Sequence, residues 1–384
     1  MKEKIAITSL VTLSALGNQP EEIWQNYLSD KTFITKRRMN NADEYVAPLS
    51  LKSKALLEEL RLSEQKYKPL DETVLMAILS SRVAVEKAGW GAGTDFGINI
   101  GSSRGATQIF ESAHKTFLET GKTPTLTSPT STLGNISSWA AHDLKNTGLA
   151  ISHSITCSTA LHSLLNAVAW LQADMADKFL IGGSEAPLTD FTLAQMNALK
   201  IYSKEQGAYP CRAFDFEKKK NSMVLGEGVA VACLEKGNPK NTLAFIEGVG
   251  YATDELQHNI SISEEAICFQ KSMQMALKNT NPAEVDVIVM HAPGTLKGDT
   301  SEYKAIQKVF SEKVPMLTTN KWKMGHTFGA SGLLSVELAV LMMQHQQFIG
   351  IPYLKIPNQK MQIKKVMVNA VGFGGNAVSV LLSV

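Results

Sequence analysis

Short apolar runs alternate with segments of helical periodicity along almost the whole chain, the pattern that builds layered α/β structure. Strand-like runs cover Ile5 to Ser9, Phe96 to Ile100, Leu149 to Ile155, Lys178 to Ile181, Gly228 to Leu234, Leu243 to Gly250, Val285 to Met290, Pro315 to Thr318, Val366 to Val371 and Ala377 to Val384. Helical periodicity covers Thr73 to Ala88, Ser158 to Ala173, Glu264 to Asn279, Asp299 to Phe310 and Gly332 to Gln344. Near the start, Gly17-Asn18 makes a turn and Pro20 opens a helix that continues through Trp24. The segment GLLSVELAVLMMQ is apolar on nearly every side, which predicts a helix buried on most faces. Residues 30–68 are polar and Lys-rich without clear periodicity and read as an early surface insertion.

The sequence GNPKN at 237–241 follows a strand and makes the best boundary, dividing the chain into an N-terminal half, 1–236, and a C-terminal half, 237–384. Each half holds a strand, a Gly-rich turn and a long apolar helix, a faint mark of internal duplication. At about 150 residues per domain, 384 residues make two to three domain-sized units, enough for a large core without disulfides or structural metal.

Composition narrows the possibilities. Lys+Arg 38 against Asp+Glu 36 leaves +2, which lacks the basic field that phosphate backbones demand and argues against a nucleic-acid partner. Cysteines 157, 211, 233 and 268 are too scattered for a disulfide scaffold, and no His/Cys cluster has zinc spacing, so free thiols and no metal are expected. The first twenty residues loosely mimic a secretion signal, but Thr8, Ser9, Thr12 and Ser14 interrupt them. No window approaches the ~18 unbroken apolar residues of a membrane span, and the chain reads as cytoplasmic.

Three residues carry candidate chemistry. In LAISHSITCSTALHSLLNAVAWL, Cys157 sits between a strand and an apolar helix, where unpaired first-turn N–H groups and the macrodipole favour a thiolate. Taken alone, Cys157 fits a small buried side chain better than a nucleophile. His291 directly follows the strand in VDVIVMHAPGTLKGDTSEYKAI, at the strand end where function concentrates in α/β sheets. His326 lies in the Gly-flanked loop of TTNKWKMGHTFGASG, ahead of the most apolar helix. The other histidines (114, 142, 153, 162, 258 and 345) have no such setting. One thiol and two loop imidazoles suit decarboxylative Claisen chemistry: the thiolate takes an acyl group, and the imidazoles stabilise the enolate left when a malonyl thioester loses carbon dioxide. A Cys/His hydrolase would need only one histidine, so the second is the discriminating residue.

With these residues in place, the chain resembles the elongating β-ketoacyl-[acyl-carrier-protein] synthases of the thiolase fold almost end to end. ITCSTALHSL resembles their nucleophile segment. PCRAFDFEKKKNSMVLGEG matches through Arg212, Phe214, Asp215, Gly226, Glu227 and Gly228; HAPGTLKGDTSE through His291, Gly294, Thr295, Asp299 and Glu302; NKWKMGHTFGASG through Lys321, Gly325, His326, Gly329, Ala330 and Gly332; GFGGNA through Phe373. The resemblance implies five α-β-α-β-α layers from two similar halves, acylation at Cys157, and supporting roles for Lys321 and Glu302 behind the histidines, fixing their tautomers and the charge network. It also implies an oxyanion hole from the backbone N–H groups of Cys157 and Phe373, Phe373 as a gate, and a dimer. The partners it implies are acyl carrier protein and a second ketosynthase-like chain, identical or related. No cofactor is implied beyond the carrier's phosphopantetheine arm.

Departures from the family pattern matter. HAPGT stands where HGTGT is usual, Ala213 replaces a proline, and Lys-rich FEKKKNS replaces Arg-x-Gly. A specialised pathway, polyene or pigment-like rather than general fatty-acid synthesis, is the expectation. A non-catalytic chain-length partner of a ketosynthase is the competing reading, weakened by the presence of Cys157. A thiolase would need a second cysteine near the C-terminus, and none follows Cys268.

Overall fold

The computed structural model describes residues 3–39, 42–133, 135–255, 262–278 and 280–384. His258 and Asn279 lie outside these residues. One twisted sheet contains strands β1 (Ile5–Leu13), β2 (Gly97–Gly101), β3 (Ala150–Ile151), β4 (Lys178–Glu185), β5 (Gly228–Lys236), β6 (Ala244–Thr253), β7 (Val287–Val289), β8 (Met316–Thr318), β9 (Lys365–Val371) and β10 (Asn376–Ser383). The helices that matter below are α1 (Pro20–Leu28), α2 (Glu72–Ala88), α3 (Thr159–Gln172), α4 (Asp190–Ala198), α5 (Ile267–Leu277), α6 (Leu296–Val309), α7 (Lys321–Met324) and α8 (Ser331–His345).

The strand order is β8-β7-β9-β10-β6-β1-β5-β4-β2-β3. From the middle outward, β1-β5-β4-β2-β3 pair antiparallel, antiparallel, parallel, parallel. The series β6-β10-β9-β7-β8 repeats that sequence of orientations. The two series meet where Ala6 and Ile7 of β1 pair with Phe245 and Ala244 of β6. Each half therefore has one topology, and the faint duplication mark has a structural counterpart. We propose the division at 236/237 on this repeat, because it falls between β5 and β6.

Layering follows from where the apolar faces lie. Helices α3 and α8 occupy the middle layer and touch strands of both halves; α2 covers the outer face of one half and α5 with α6 that of the other. Helix α8 is buried from Ser331 through Met343, as its all-round apolarity requires. Its single carboxylate, Glu337, accepts a hydrogen bond from Thr12 of β1. No helix among the described residues is long and apolar enough to cross a membrane.

Residues 30–68 are not a featureless insertion. Strands Thr35–Met39 and Ala42–Ala47 form a hairpin, followed by helix Leu51–Ser63. Val46 and Ala47 pair in parallel with Leu225 and Gly226, and Leu225 bridges in turn to His326, so the hairpin buttresses the second histidine. The pattern was faint because Thr35 to Arg38 face solvent and only Met39 of that strand is buried. Helices Thr107–Thr120, Asn135–Leu144 and α4 also escaped the periodicity reading, and the strand expected over 149–155 shrinks to two residues.

Because α8 has no solvent face to relax into, Leu338→Ala should leave a cavity and cost about 2–5 kcal/mol. Urea unfolding monitored by circular dichroism will show the lowered midpoint; an unchanged midpoint would contradict the burial of Leu338, which is fully inaccessible.

Candidate active site

The strand β3 ends at Ile151, and the chain turns sharply into α3 at Thr156-Cys157-Ser158. Thr156 has φ +45°, a strained conformation for a β-branched residue. Local bonds hold it: the Thr156 carbonyl accepts from Thr159 Oγ1 at 2.7 Å, and Thr159 Oγ1 accepts from the Ile155 N–H at 2.9 Å. The Gly-rich loop after β9 presses against this turn. A Cβ on Gly372 would lie 1.8 Å from Thr156 Oγ1 and 3.2 Å from the Cys157 nitrogen, so only glycine allows the approach. Thr156 Oγ1 donates to the Phe373 carbonyl at 3.3 Å, tying the two segments.

His291 follows β7 in a turn gripped by two carboxylates of α6. Glu302 accepts the N–H groups of His291 at 2.9 Å and Ala292 at 2.8 Å; Asp299 accepts those of Gly294 at 3.0 Å and Phe214 at 2.9 Å. Ala292 adopts φ +25° inside this grip. Lys218, from the Lys-rich segment, is buried and pairs with Asp299. Thr295 caps α6, its hydroxyl accepting from the Gly298 N–H at 3.2 Å. His326 sits between α7 and α8, its N–H donated to the Val224 carbonyl at 2.7 Å and its carbonyl accepting from Gly226 at 3.1 Å.

These segments converge on one cavity of about 220 Å³ lined by Cys157, His291, His326, Phe328, Gly372 and Phe373, with Asn221, Thr295 and Lys297 also on its wall. The two imidazoles meet edge to face, ring centroids 5.2 Å apart. All three candidate residues from the sequence are thus brought together, and Phe373 and Thr295 join them. Pro293, the departure in HAPGT, lines the same cavity.

Lys321 and Glu302 are buried as expected, but the structure places neither on an imidazole nitrogen. Glu302 holds His291 through the backbone, with Asn369 donating to it at 3.2 Å, and Lys321 Nζ donates to Asn320 Oδ1 at 2.9 Å and Ser335 Oγ at 3.4 Å. The physical reason is reach: the carboxylate is spent on the two N–H groups of the turn, and the ammonium faces α8. Sequence reasoning missed Glu185, whose carboxylate accepts the N–H groups of Ser103 and, at 3.1 Å, Gly329, and Phe328, packed edge-on to His326. Glu185 ends a strand, the position at which it could have been flagged.

The electrostatics correct one expectation. Cys157 precedes the N-cap Ser158 and is 5% exposed; burial, then the Glu185 carboxylate, push its thiol up to about 12, against the pull of Lys321 and its own backbone. Desolvation outweighs the helix terminus. Burial pushes His326 down to about 3 and His291 well below its ordinary value, each further lowered by Lys321, so both rings are neutral near pH 7. Burial raises Glu185 and Glu302 to about 7 and lowers Lys321 to about 8. The site can therefore offer a shielded neutral thiol and two neutral hydrogen-bonding imidazoles in an apolar cavity.

A layered α/β fold of two like-folded halves, with a cysteine at a strained strand–helix turn facing two histidines from the opposite half, defines the thiolase-like condensing class. Family models agree: residues 2–239 match "Beta-ketoacyl synthase, N-terminal domain" and residues 243–352 match "Beta-ketoacyl synthase, C-terminal domain". The chain belongs to the beta-ketoacyl synthase family, a family of acyltransferase-type synthases. It is 26% identical to 3-oxoacyl-[acyl-carrier-protein] synthase 2 of Staphylococcus aureus, over 98% of each chain. It is 26% identical to the enzyme of that name from Coxiella burnetii, over 100% of this chain and 99% of the relative. Its fold matches a beta-ketoacyl synthase from Burkholderia phymatum with a TM-score of 0.86 at 21% identity, covering 99% of both chains. The ishigamide ketosynthase/chain length factor matches at 0.86 and 17%, covering 100% and 99%.

A thiol near 12 predicts a reactivity profile. Alkylation of Cys157 by iodoacetamide, followed by peptide mass spectrometry, should rise about tenfold per pH unit from 7 to 10, since the thiolate is the reacting form. A plateau below pH 9 would show a depressed thiol and overturn the electrostatic picture.

Proposed function

We propose that this chain is an elongating β-ketoacyl-[acyl-carrier-protein] synthase. The observation that carries the reading is that Cys157, His291 and His326 line one cavity although they come from three segments and both halves of the chain. In the first half-reaction the Cys157 sulfur attacks the carbonyl of an acyl-carrier thioester. The carrier thiol leaves with the proton that Cys157 loses. Cys157 and Phe373 N–H groups hold the transient oxyanion. In the second, a malonyl-carrier thioester loses carbon dioxide, the C–C electron pair becomes an enolate hydrogen-bonded by the two neutral imidazoles, and its carbon attacks the Cys157 thioester. The C–S bond breaks, the 3-oxoacyl carrier departs, and the thiolate takes up a proton.

Both substrates ride on phosphopantetheine, so acyl carrier protein is the partner and no further cofactor is needed. A solved relative in fold, at 18% identity, is described as a type II PKS acyl-carrier protein in complex with its ketosynthase. The product enters fatty-acid, polyene or polyketide-type elongation, and the active unit is a homodimer or a heterodimer with a related chain. A chain-length-factor-like role is the second reading, favoured by neighbours such as the Xenorhabdus doucetiae ketosynthase in complex with its chain length factor (TM-score 0.81).

Incubation with a panel of acyl carriers and mass mapping should place the acyl group on Cys157. Acylation of Cys211, Cys233 or Cys268 instead would refute Cys157 as the acyl acceptor, and acylation of none would favour the second reading. His291→Ala and His326→Ala should retain acylation while slowing malonyl decarboxylation by about 10²–10³, the usual loss when one such donor is removed. Wild-type decarboxylation in both variants would rule the histidines out.

Phe373 stands half-buried between Gly372 and Gly374-Gly375, the latter two at φ +92° and +70°. We expect it to gate malonyl entry: Phe373→Ala should permit decarboxylation by unacylated enzyme. An unchanged coupling of decarboxylation to condensation would make it a turn residue only.

A further inference from the structure

Helix α7 has four residues and carries two buried lysines, of which Lys321 acts on the site through its charge. Lys323 has no part in the chemistry above, yet its side chain is fully inaccessible. Its ammonium donates to three carbonyls: Asn26 at 2.8 Å, Ser29, and Lys31 at 3.1 Å. It also lies 4.2 Å from the Trp322 ring centroid.

The three carbonyls belong to the end of α1 and the residues just after it. That helix has no basic residue in its last turn and no glycine at its C-cap Ser29. Its terminal carbonyls are met from several sides: Gln25 by the Ser29 N–H, Asn26 by Ser29 Oγ at 2.9 Å and Leu28 by Asn358 Nδ2 at 2.9 Å. Lys323 supplies the only charged donor among the described residues. A cation there also complements the negative end of the macrodipole. Two further bonds run along the same seam: Thr32 Oγ1 donates to the Trp322 carbonyl at 2.7 Å, and the Phe33 N–H to the Lys323 carbonyl at 2.8 Å. A four-residue helix does not hold its own orientation, because too few internal bonds offset the ordered backbone. The orientation of α7 therefore comes from outside. Lys321 precedes Lys323 by two residues and His326 follows it by three, so the orientation of α7 bears on both, although His326 is also held by the Val224 carbonyl and the Gly226 N–H.

We propose that Lys323 is a positioning residue for the condensation reaction: it caps α1 from a distance and in doing so holds α7, with Lys321 on the opposite side and His326 at its exit, against the cavity. The thiol belongs to a different segment, tied to the Gly372 loop, and does not depend on this clamp. The effect on the reaction is accordingly lopsided. Burial lowers the ammonium to about 7, with Asp30 at the end of α1 opposing the shift, which accords with an ammonium held by neutral oxygens rather than by an ion pair.

The test compares wild type with Lys323→Met and Lys323→Gln, the glutamine still able to donate two of the three bonds. Two readouts are needed. Hydrogen exchange should show the amides of Gly325 and His326 opening at least tenfold faster in the Met variant while those of α8 stay protected, with the Gln variant between. On the ketosynthase reading, on which this arm rests, malonyl decarboxylation should fall at least tenfold in the Met variant while acylation of Cys157 stays within about twofold. Equal loss of both half-reactions, tracking loss of folded protein, would reduce Lys323 to a structural residue, and unchanged exchange would refute the clamp outright. A wild type that neither acylates nor decarboxylates would refute the ketosynthase reading instead, and the exchange measurement would still decide whether Lys323 fixes α7.

Discussion

Everything in the site depends on how closely the two central helices approach at their N-terminal ends. Around Gly183, a Cβ would lie 2.6 Å from the Gly329 carbonyl and 2.9 Å from the Ala160 Cβ; on Gly332, a Cβ would lie 2.6 Å from Leu161 Cγ. Gly183 of β4 lets the loop before α8 and the start of α3 crowd together, and Gly332 of α8 lets that helix close onto Leu161 of α3. That contact delivers the Cys157 turn and the His326 loop to one cavity. Larger residues there would push Cys157 away from His326 before touching either, which makes close packing of the middle layer the first condition of the site's geometry.

Such packing excludes water, and exclusion sets the charge states. A thiol raised to about 12 and a His326 lowered to about 3 are the two signs of one desolvation. The buried carboxylates are tolerated because each is bonded to backbone: Glu302 to the His291 turn, Glu185 to the His326 loop and to Ser103. These bonds do two things at once, satisfying the acid and fixing the backbone that presents each histidine. Lys321 completes the balance. Its charge lowers both imidazoles and pulls the thiol down against burial, so this one ammonium favours neutral rings while easing the cost of a thiolate.

The chain's sequence makes the nucleophile and both histidines legible because each stands at a junction between an apolar run and a helix, where periodicity changes. Helix α8 was legible for the same reason as its burial: no polar face. What stayed hidden depends on partners far away in sequence. The hairpin through Val46 looks like a polar insertion, since its role is to pair with Leu225, nearly 180 residues on. Thiol pKa could not be read from a helix terminus, because the opposing burial is built by both halves. Lys323 in KWKMGH carries no signal of burial, and only the end of α1 folding beneath it brings three carbonyls to its ammonium.

The repeat in the sheet gives the division of labour a simple geometry. Cys157 lies between β3 and α3, and His326 lies between β8 and α8; β3 and β8 are the outermost strands of their halves, and α3 and α8 are the paired central helices. The two residues occupy one topological slot, used twice. On the proposed reaction the N-terminal slot carries the side chain that would form a bond, the C-terminal slot one that would stabilise charge, and His291, after β7, would add the second donor. Bringing the two slots face to face across the middle layer places a nucleophile opposite an electrostatic partner without any single segment having to fold back on itself. Neither half contains both slots' side chains, so the proposed reaction would depend on the pairing of β1 with β6, which joins the halves, as much as on the thiol.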